Sequence, residues 1–450
     1  MDPAHRGYVV LTCVPGRYFP VLNGASVPLF SYETGYMQAH TAIYTDNTSE
    51  KEAFAKKLLG GMAPRELSFL KGGRGAYFSN STLSEFLDTE ARYDRSGLYL
   101  EGRTLRSLSS GERKKALLGY LLGKEPDFLI LDNLFDNLDP PSREALKEVL
   151  ETQSGNILLI QFLSRSQDLL KCMKNKAFLS GDQIRDFPNY IPDTEYMQTH
   201  RFTGALPPAP GASPSLPKVL IDFRKVNLSY GGRPILSQIE WKMEKGDFWE
   251  LRGPNGSGKT SLITMIIGDN PKAYGQELYL FGIRKGSGES VWDIKSKIGY
   301  FTPALTDRFR GNHTAEAMLI SGLLDSVGLY LKPTDQQRTL AQSWLALLGL
   351  SDLARIQFRN LSEGHQRLLM CARAMIKHPP VLILDEPTAG LDEASAGLVI
   401  SLVQKMAAES ETAILFVSHR QEPGLKAPKV LELVPGKGGS KGIIHNFITP

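Results

Sequence analysis

The chain has 450 residues, 42% of them apolar and 22% charged, with a formal net charge of +4 and a pI near 8.7. That is the composition of an ordinary globular protein with room for two to four domains, and the charge is too small to argue for a nucleic-acid partner. No run approaches the roughly 18 consecutive apolar residues of a membrane span. The three cysteines, Cys13, Cys172 and Cys371, stand far apart without metal-ligand spacing, as expected in a reducing compartment.

Up to Phe30 the chain holds Arg6 and Arg17 against one acid, Asp2, but Pro3, Gly7, Pro15, Gly16 and Pro20 break any amphipathic helix. A cytoplasmic location is therefore expected, with organelle import as the alternative. Residues 8–14, closed by Pro15-Gly16, read as a buried strand. Residues 50–59 have helical spacing, and Asn80-Ser81-Thr82 offers caps to a helix through Leu83, Phe86 and Leu87. Lys71-Gly72-Gly73-Arg74-Gly75 has glycines without phosphate-loop spacing and reads as an exposed turn.

The text that begins at Leu108 recurs from Leu361. Leu108-Ser109-Ser110-Gly111-Glu112-Arg113 answers Leu361-Ser362-Glu363-Gly364-His365-Gln366, and Phe128-Leu129-Ile130-Leu131-Asp132 answers Val381-Leu382-Ile383-Leu384-Asp385. Leu138-Asp139 answers Leu391-Asp392, and across these windows 11 of 32 positions are identical without a gap. The chain is thus an internal duplication of one α/β domain type. Between the copies, residues 204–217 hold five prolines and no apolar periodicity, the composition of a semi-extended tether.

The second copy contains Gly253-Pro254-Asn255-Gly256-Ser257-Gly258-Lys259-Thr260, the spacing of a phosphate-binding loop. Its glycines let successive N–H groups converge on a polyphosphate, Lys259 supplies a charge for the outer phosphates, and the Thr260 hydroxyl can ligate magnesium. A strand precedes it at 247–251 and a helix follows from Ser261 to Ile267, so a helix N-terminus reinforces the anion site. The apolar run 381–384 delivers Asp385 at the end of a central strand, beside the loop, to hold the magnesium shell. Glu386 follows and can polarise an attacking water. Ser362 caps a helix whose apolar face runs through Leu368, Leu369, Met370, Ala372 and Met375.

The loop, the LS-x-G-x-[QR] signature, LILDEPT, Gly390-Leu391-Asp392 and a strand ending at His419 together resemble the nucleotide-binding domain of an ABC ATPase. Tyr230, upstream of the loop, matches the aromatic residue that stacks on adenine in that family. The tandem layout, with Leu280-Phe281-Gly282, the segment 286–295 and Ile320-Ser321-Gly322, resembles the molybdenum-transport/photorepair branch of tandem ABC proteins.

This resemblance implies an α/β fold of two tandem P-loop ABC domains: a degenerate one at 1–200, a linker at 201–217 and a complete one at 218–450. It further implies bound ATP and Mg2+ and an intramolecular domain pair in a monomer, with membrane transporter subunits or another protein as partner. In the family two domains stack head to tail. One composite site would then join Tyr230, residues 253–260 with Ser261, Asp385, Glu386 and His419 to Ser109, Ser110 and Gly111 of the first copy, with Glu386, His419 and Lys259 catalytic.

The opposite site is expected to be empty of chemistry. The second loop begins at Gly253 and its signature at Leu361; the same interval counted back from Leu108 reaches the start of the chain, so no phosphate loop is expected in the first copy. Asn133 stands for the catalytic glutamate, and Phe162 is aligned with the histidine. After residues 297–301 the family's usual glutamine is replaced by Thr302-Pro303-Ala304. An ATP-gated scaffold with negligible hydrolysis and a ribosome-associated ABC factor are the alternative readings.

Overall fold

Short runs of buried apolar residues ending in an acid build the centre of each half of the chain. The computed structural model describes residues 39–93, 98–100, 102–192, 202–211, 215–306, 309 and 311–447, and the strand expected at 8–14 lies outside them. The chain divides into two units, Met1–Asp193 and Thr194–Pro450. The first contains β1 (Thr41–Thr45), β2 (Gly75–Phe78), the small hairpin β3 (Tyr99–Leu100) and β4 (Arg103–Thr104), β5 (Phe128–Asp132), β6 (Leu158–Leu163), β7 (Asn175–Ser180) and β8 (Gln183–Arg185). Its six-stranded sheet has the order β2-β5-β6-β1-β7-β8 and is parallel except for β8. Helices α1 (Lys51–Leu59), α2 (Asn80–Tyr93), α3 (Ser110–Leu122) and α4 (Pro140–Gln153) accompany it.

In the second unit β9 (Val219–Tyr230), β10 (Arg233–Glu244), β12 (Leu278–Leu280) and β13 (Ile283–Arg284) form an antiparallel sheet. The second sheet holds β11 (Phe248–Arg252), β14 (Ile298–Phe301), β15 (Val381–Asp385), β16 (Ala413–Val417), β17 (Lys429–Val434) and β18 (Lys441–Asn446) in the order β14-β15-β16-β11-β17-β18. Only β18 is antiparallel there. β15 and β16 are buried on both faces, which is why residues 381–384 and Ala413–Val417 read as unbroken apolar runs, whereas β11 and β17 carry Glu250 and Glu432 among their apolar residues.

The two six-stranded sheets therefore share one strand order and one pattern of direction. Ile43 lies opposite Phe162 as Leu251 lies opposite Val417. The Asn133 amide donates to the Phe162 carbonyl at 3.1 Å, and the Glu386 amide donates to the Val417 carbonyl at 2.9 Å. Phe162 is consequently the counterpart of Val417, and Ser164 is the counterpart of His419. This corrects the alignment of Phe162 with the histidine. The path from Asp132 to β6 is two residues shorter than that from Asp385 to β16, and Phe162 is a fully buried strand residue packed against Phe54.

Within each unit a cation of the signature helix reaches carbonyls of the turn that follows the acid-bearing strand. Lys114 Nζ donates to the carbonyls of Leu134 and Asp136 at 2.8 and 2.7 Å. Its counterpart Arg367, on the helix Glu363–Met375, reaches the carbonyls of Glu386 and Pro387 at 3.4 Å. Asp139 and Asp392 then cap the next helices through the amides of Ser142 and Ser395.

The proline-rich stretch is partly seated. Phe202 and Leu206 pack on the helical core of the second unit, the Leu206 amide donates to Glu409, and the Pro207 carbonyl lies 2.7 Å from His378 Nε2. Prolines keep the backbone extended, while these two apolar side chains supply the anchorage. Among the described residues no helix is long and apolar enough to cross a membrane. Since Ile383 sits fully buried two residues before Asp385, Ile383→Ala is expected to destabilise the second unit by about 2–5 kcal/mol in denaturant titrations.

Candidate nucleotide-binding site

In the second unit β11 ends at Arg252, residues 253–258 turn, and the helix Lys259–Ile266 begins at once. The turn needs glycine at two points for different reasons. Gly258 has φ +98°, and a Cβ there would lie 2.7 Å from Leu236 Cδ2; Gly253 has φ +151°, and its Cβ would meet the Leu433 carbonyl at 2.8 Å. Lys259 Nζ folds back to donate to the Gly253 and Pro254 carbonyls at 2.6 and 3.2 Å, which holds its charge over the loop. Asn255, Gly256 and Thr260 are not buried, and Ser261 is half-buried.

Asp385 ends β15. Burial pushes its carboxyl up to about 6; neighbouring Glu386 adds to the rise, and Lys259 opposes it. Glu386 has φ +51° and places Oε2 2.8 Å from His419 Nδ1. His419 is 9% exposed, and its Nε2, like the Ser257 hydroxyl, is buried without a hydrogen-bond partner among the described residues. Buried polar atoms of this kind are costly unless something else completes them, and a polyphosphate on this loop offers the acceptors. With Nδ1–H donating to Glu386, Nε2 can donate to such a phosphate only as the imidazolium.

The carboxyl and hydroxyl of Asp385 and Thr260 are hard oxygen donors that suit magnesium when phosphates and waters complete the shell. Among the described residues no cluster of three or more His, Cys, Asp or Glu side chains forms a metal cage by itself. Thr302 follows β14 directly, ahead of the short helix Pro303–Thr306.

Tyr230 ends β9 with its side chain 44% exposed, and its phenol accepts from Asn270 Nδ2 at 2.8 Å. Asn270 is 3% exposed; it also donates to Thr264 Oγ1 on the loop-following helix and accepts from the Lys272 amide. It thereby links the helix to the aromatic ring. Sequence reasoning missed it, because Asn270-Pro271 reads only as a turn and nothing in the text joins positions 230 and 270.

In the first unit Ser109 caps α3 with a full capping box, its hydroxyl accepting from the Glu112 amide and the Glu112 carboxylate accepting from the Ser109 amide. These bonds, with Arg103, hold the Glu112 carboxyl down to about 2. Ser109 and Ser110 are exposed, whereas Gly111 is buried, where a Cβ would meet Ser142 Oγ at 2.8 Å.

The first unit also has a counterpart to the phosphate loop, which corrects the expectation that it falls at the start of the chain. From the register of Ile43 with Leu251, Thr45-Asp46-Asn47-Thr48-Ser49-Glu50-Lys51-Glu52 answers residues 253–260 without a gap. Asn47, Ser49 and Lys51 match Asn255, Ser257 and Lys259, and both lysines open their helices. The Ser49 amide donates to the Asp46 carbonyl at 3.3 Å, as the Ser257 amide does to that of Pro254 at 3.2 Å. All three glycines are absent, however, and Glu50 has φ −83° where Gly258 has +98°. Counting failed because the interval from Thr45 to Leu108 is much shorter than that from Gly253 to Leu361.

A glycine-shaped anion loop, an acid at the end of a parallel strand two places along the sheet, a carboxylate–histidine pair and an aromatic ledge define a P-loop nucleotide-binding unit. Residues 236–389 match the family model described as ABC transporter. The chain is 38% identical over 354 residues to the ABC transporter ATP-binding protein ModF of Escherichia coli K12, covering 75% of this chain and 71% of that protein. It is 30% identical over 363 residues to an uncharacterized ABC transporter ATP-binding protein of Schizosaccharomyces pombe, covering 77% and 72%. A solved nucleotide-free cassette of an ABC transporter, 22% identical, covers 51% of this chain and 92% of its own with a TM-score of 0.42. The chain belongs to the family of ABC transporter ATP-binding proteins, whose cassettes bind and hydrolyse ATP.

The Asn270–Tyr230 bond can be isolated by a double-mutant cycle. Asn270→Leu and Tyr230→Phe should each weaken ATP affinity by about 2- to 10-fold, an effect of a neutral, half-buried hydrogen bond. The double variant should lose no more than either alone, and affinity for inorganic triphosphate, which has no base, should stay unchanged.

Proposed function

We propose that this chain hydrolyses ATP at one composite site, formed by the loop and carboxylates of the second unit and the signature helix of the first. The observation that carries the reading is the Glu386–His419 pair at 2.8 Å beside Asp385, in the unit whose loop has all its glycines. The water that attacks the terminal phosphorus gives its proton to Glu386 as its oxygen bonds to phosphorus, and the bond to the ADP oxygen breaks. His419 orients Glu386 and, through Nε2, the terminal phosphate. Lys259 and the loop amides take up the charge developing on the phosphate oxygens.

Magnesium, when bound, neutralises phosphate charge, and Thr260 and Asp385 would hold it. Tyr230 offers its ring to the adenine, with residues 253–258 and Ser261 around the phosphates. The exposed amino end of α3, with Ser109, Ser110 and Gly111, would complete the site as an anion-facing helix terminus. The relatives' names speak of ABC transporters, so a membrane subunit or another protein partner at the cytoplasmic face is part of this reading.

A second reading, an ATP-gated scaffold with negligible turnover, is favoured by Thr302-Pro303 where the family usually places glutamine. Magnesium-dependent ATPase assays on the full chain decide between them. Lys259→Ala should abolish turnover, and Glu386→Gln should lower it by about 100-fold or more while ATP still binds. Ser109→Arg should abolish turnover if the first unit closes the site. Unchanged turnover in Ser109→Arg would sink the composite site, and undetectable turnover in the parent chain would favour the scaffold.

A further inference from the structure

We infer that the first unit carries its own substitute for a nucleotide: the groups that await ATP in the second unit are satisfied in the first by side chains of the unit itself. Ser257 Oγ is buried without a partner among the described residues, whereas Ser49 Oγ accepts from the Asp46 amide at 3.0 Å and has two acceptors in reach of its one proton, the Leu179 carbonyl at 2.6 Å and Asp46 Oδ1 at 3.0 Å. Asp46 Oδ1 also accepts from the Thr48 amide and hydroxyl, both at 2.8 Å, so a carboxylate of the loop takes the loop's own donors. Where Lys259 sits over its loop, Lys51 reaches across to Asp132, the counterpart of Asp385, at 3.1 Å. The other oxygen of Asp132 accepts from Tyr77 at 3.1 Å.

The remaining positions follow the same rule. Thr260, the hydroxyl suited to magnesium, is replaced by Glu52, whose carboxylate accepts from Ser81. His419, whose Nε2 has no partner among the described residues, is replaced by Ser164, whose amide and hydroxyl meet Asn133 Oδ1 at 3.2 and 3.3 Å. A triphosphate here would bring its charge against Asp46, Glu50 and Glu52 and would have to displace Asp132 from Lys51. Without glycine at 48 and 50 the loop also has no low-energy route to the left-handed turns that aim amides at an anion. The unit is thus held in one state by internal ion pairing, independent of nucleotide. In combination with the proposed function, on which this last step rests, it would lend its signature helix without an ATP cycle of its own.

The full-length chain provides the test, because all four tryptophans, Trp241, Trp249, Trp292 and Trp344, lie in the second unit. Unfolding seen by circular dichroism but not by tryptophan fluorescence reports the first unit. Calorimetric titration with Mg2+ and a non-hydrolysable ATP analogue should give one site per chain, and none in Lys259→Ala. Lys51→Met should leave that stoichiometry intact and the affinity within about 2-fold, yet lower the fluorescence-silent transition by about 4 °C or more. In the double variant Lys51→Met/Lys259→Ala, where the second unit's loop no longer holds nucleotide, the analogue should not restore that transition.

Two sites per chain, or a site surviving in Lys259→Ala and lost in Lys51→Met, would overturn the inference. So would an unchanged transition in Lys51→Met, or a first-unit transition in Lys259→Ala that the analogue raises. A parent chain that binds no analogue at all would defeat the proposed function while leaving the first unit's closure as described.

Discussion

A turn that gathers several backbone N–H groups at the end of a buried strand must find them an acceptor, and that requirement shapes both halves of this chain. In the second unit glycines at 253, 256 and 258 open the turn, and Ser257 and His419 keep buried atoms without partners among the described residues. In the first, Asp46 supplies the acceptor from within, and Lys51 is committed to Asp132. One scaffold therefore occurs in two electrostatic conditions, one that an anionic ligand completes and one that is already complete.

What surrounds the turn differs much less than the turn itself. Strand order, the buried apolar strands, the helix caps Ser109 and Ser362, Asp139 and Asp392, and the cation joining signature helix to the turn after the acid strand occur in both units. These are contacts within one unit and need no ligand to be worth keeping. The differences gather at positions whose chief partner would be a nucleotide: the glycines, the residue after the acid, and the histidine.

That division also explains what could be read from the text. The second loop, Asp385, Glu386 and the signature helices were legible because glycine spacing and a capped apolar helix are local patterns with local causes. The duplicate from 108 to 139 was legible because it keeps its spacing. The loop at 45–52 was not, since loss of its glycines removed the pattern, and the shorter connection from Thr45 to Leu108 removed the count. Only the pairing of β1 with β6 restores it. Ser164 was hidden by the unequal paths between strands, and Asn270 by a bond spanning 40 positions, a relation that no spacing rule contains.

The carboxylate-filled turn has a consequence for how the chain persists in a cell. A site completed by a small molecule gains stability by mass action as that molecule's concentration rises above its dissociation constant, and a site completed by its own side chain does not. On this reading the two halves respond differently to energy supply. When nucleotide is scarce the second half loses its added protection from opening and cleavage, while the first keeps the part that its own carboxylate supplies. The lifetime of one half then follows nucleotide supply, and the filled turn of the other does not.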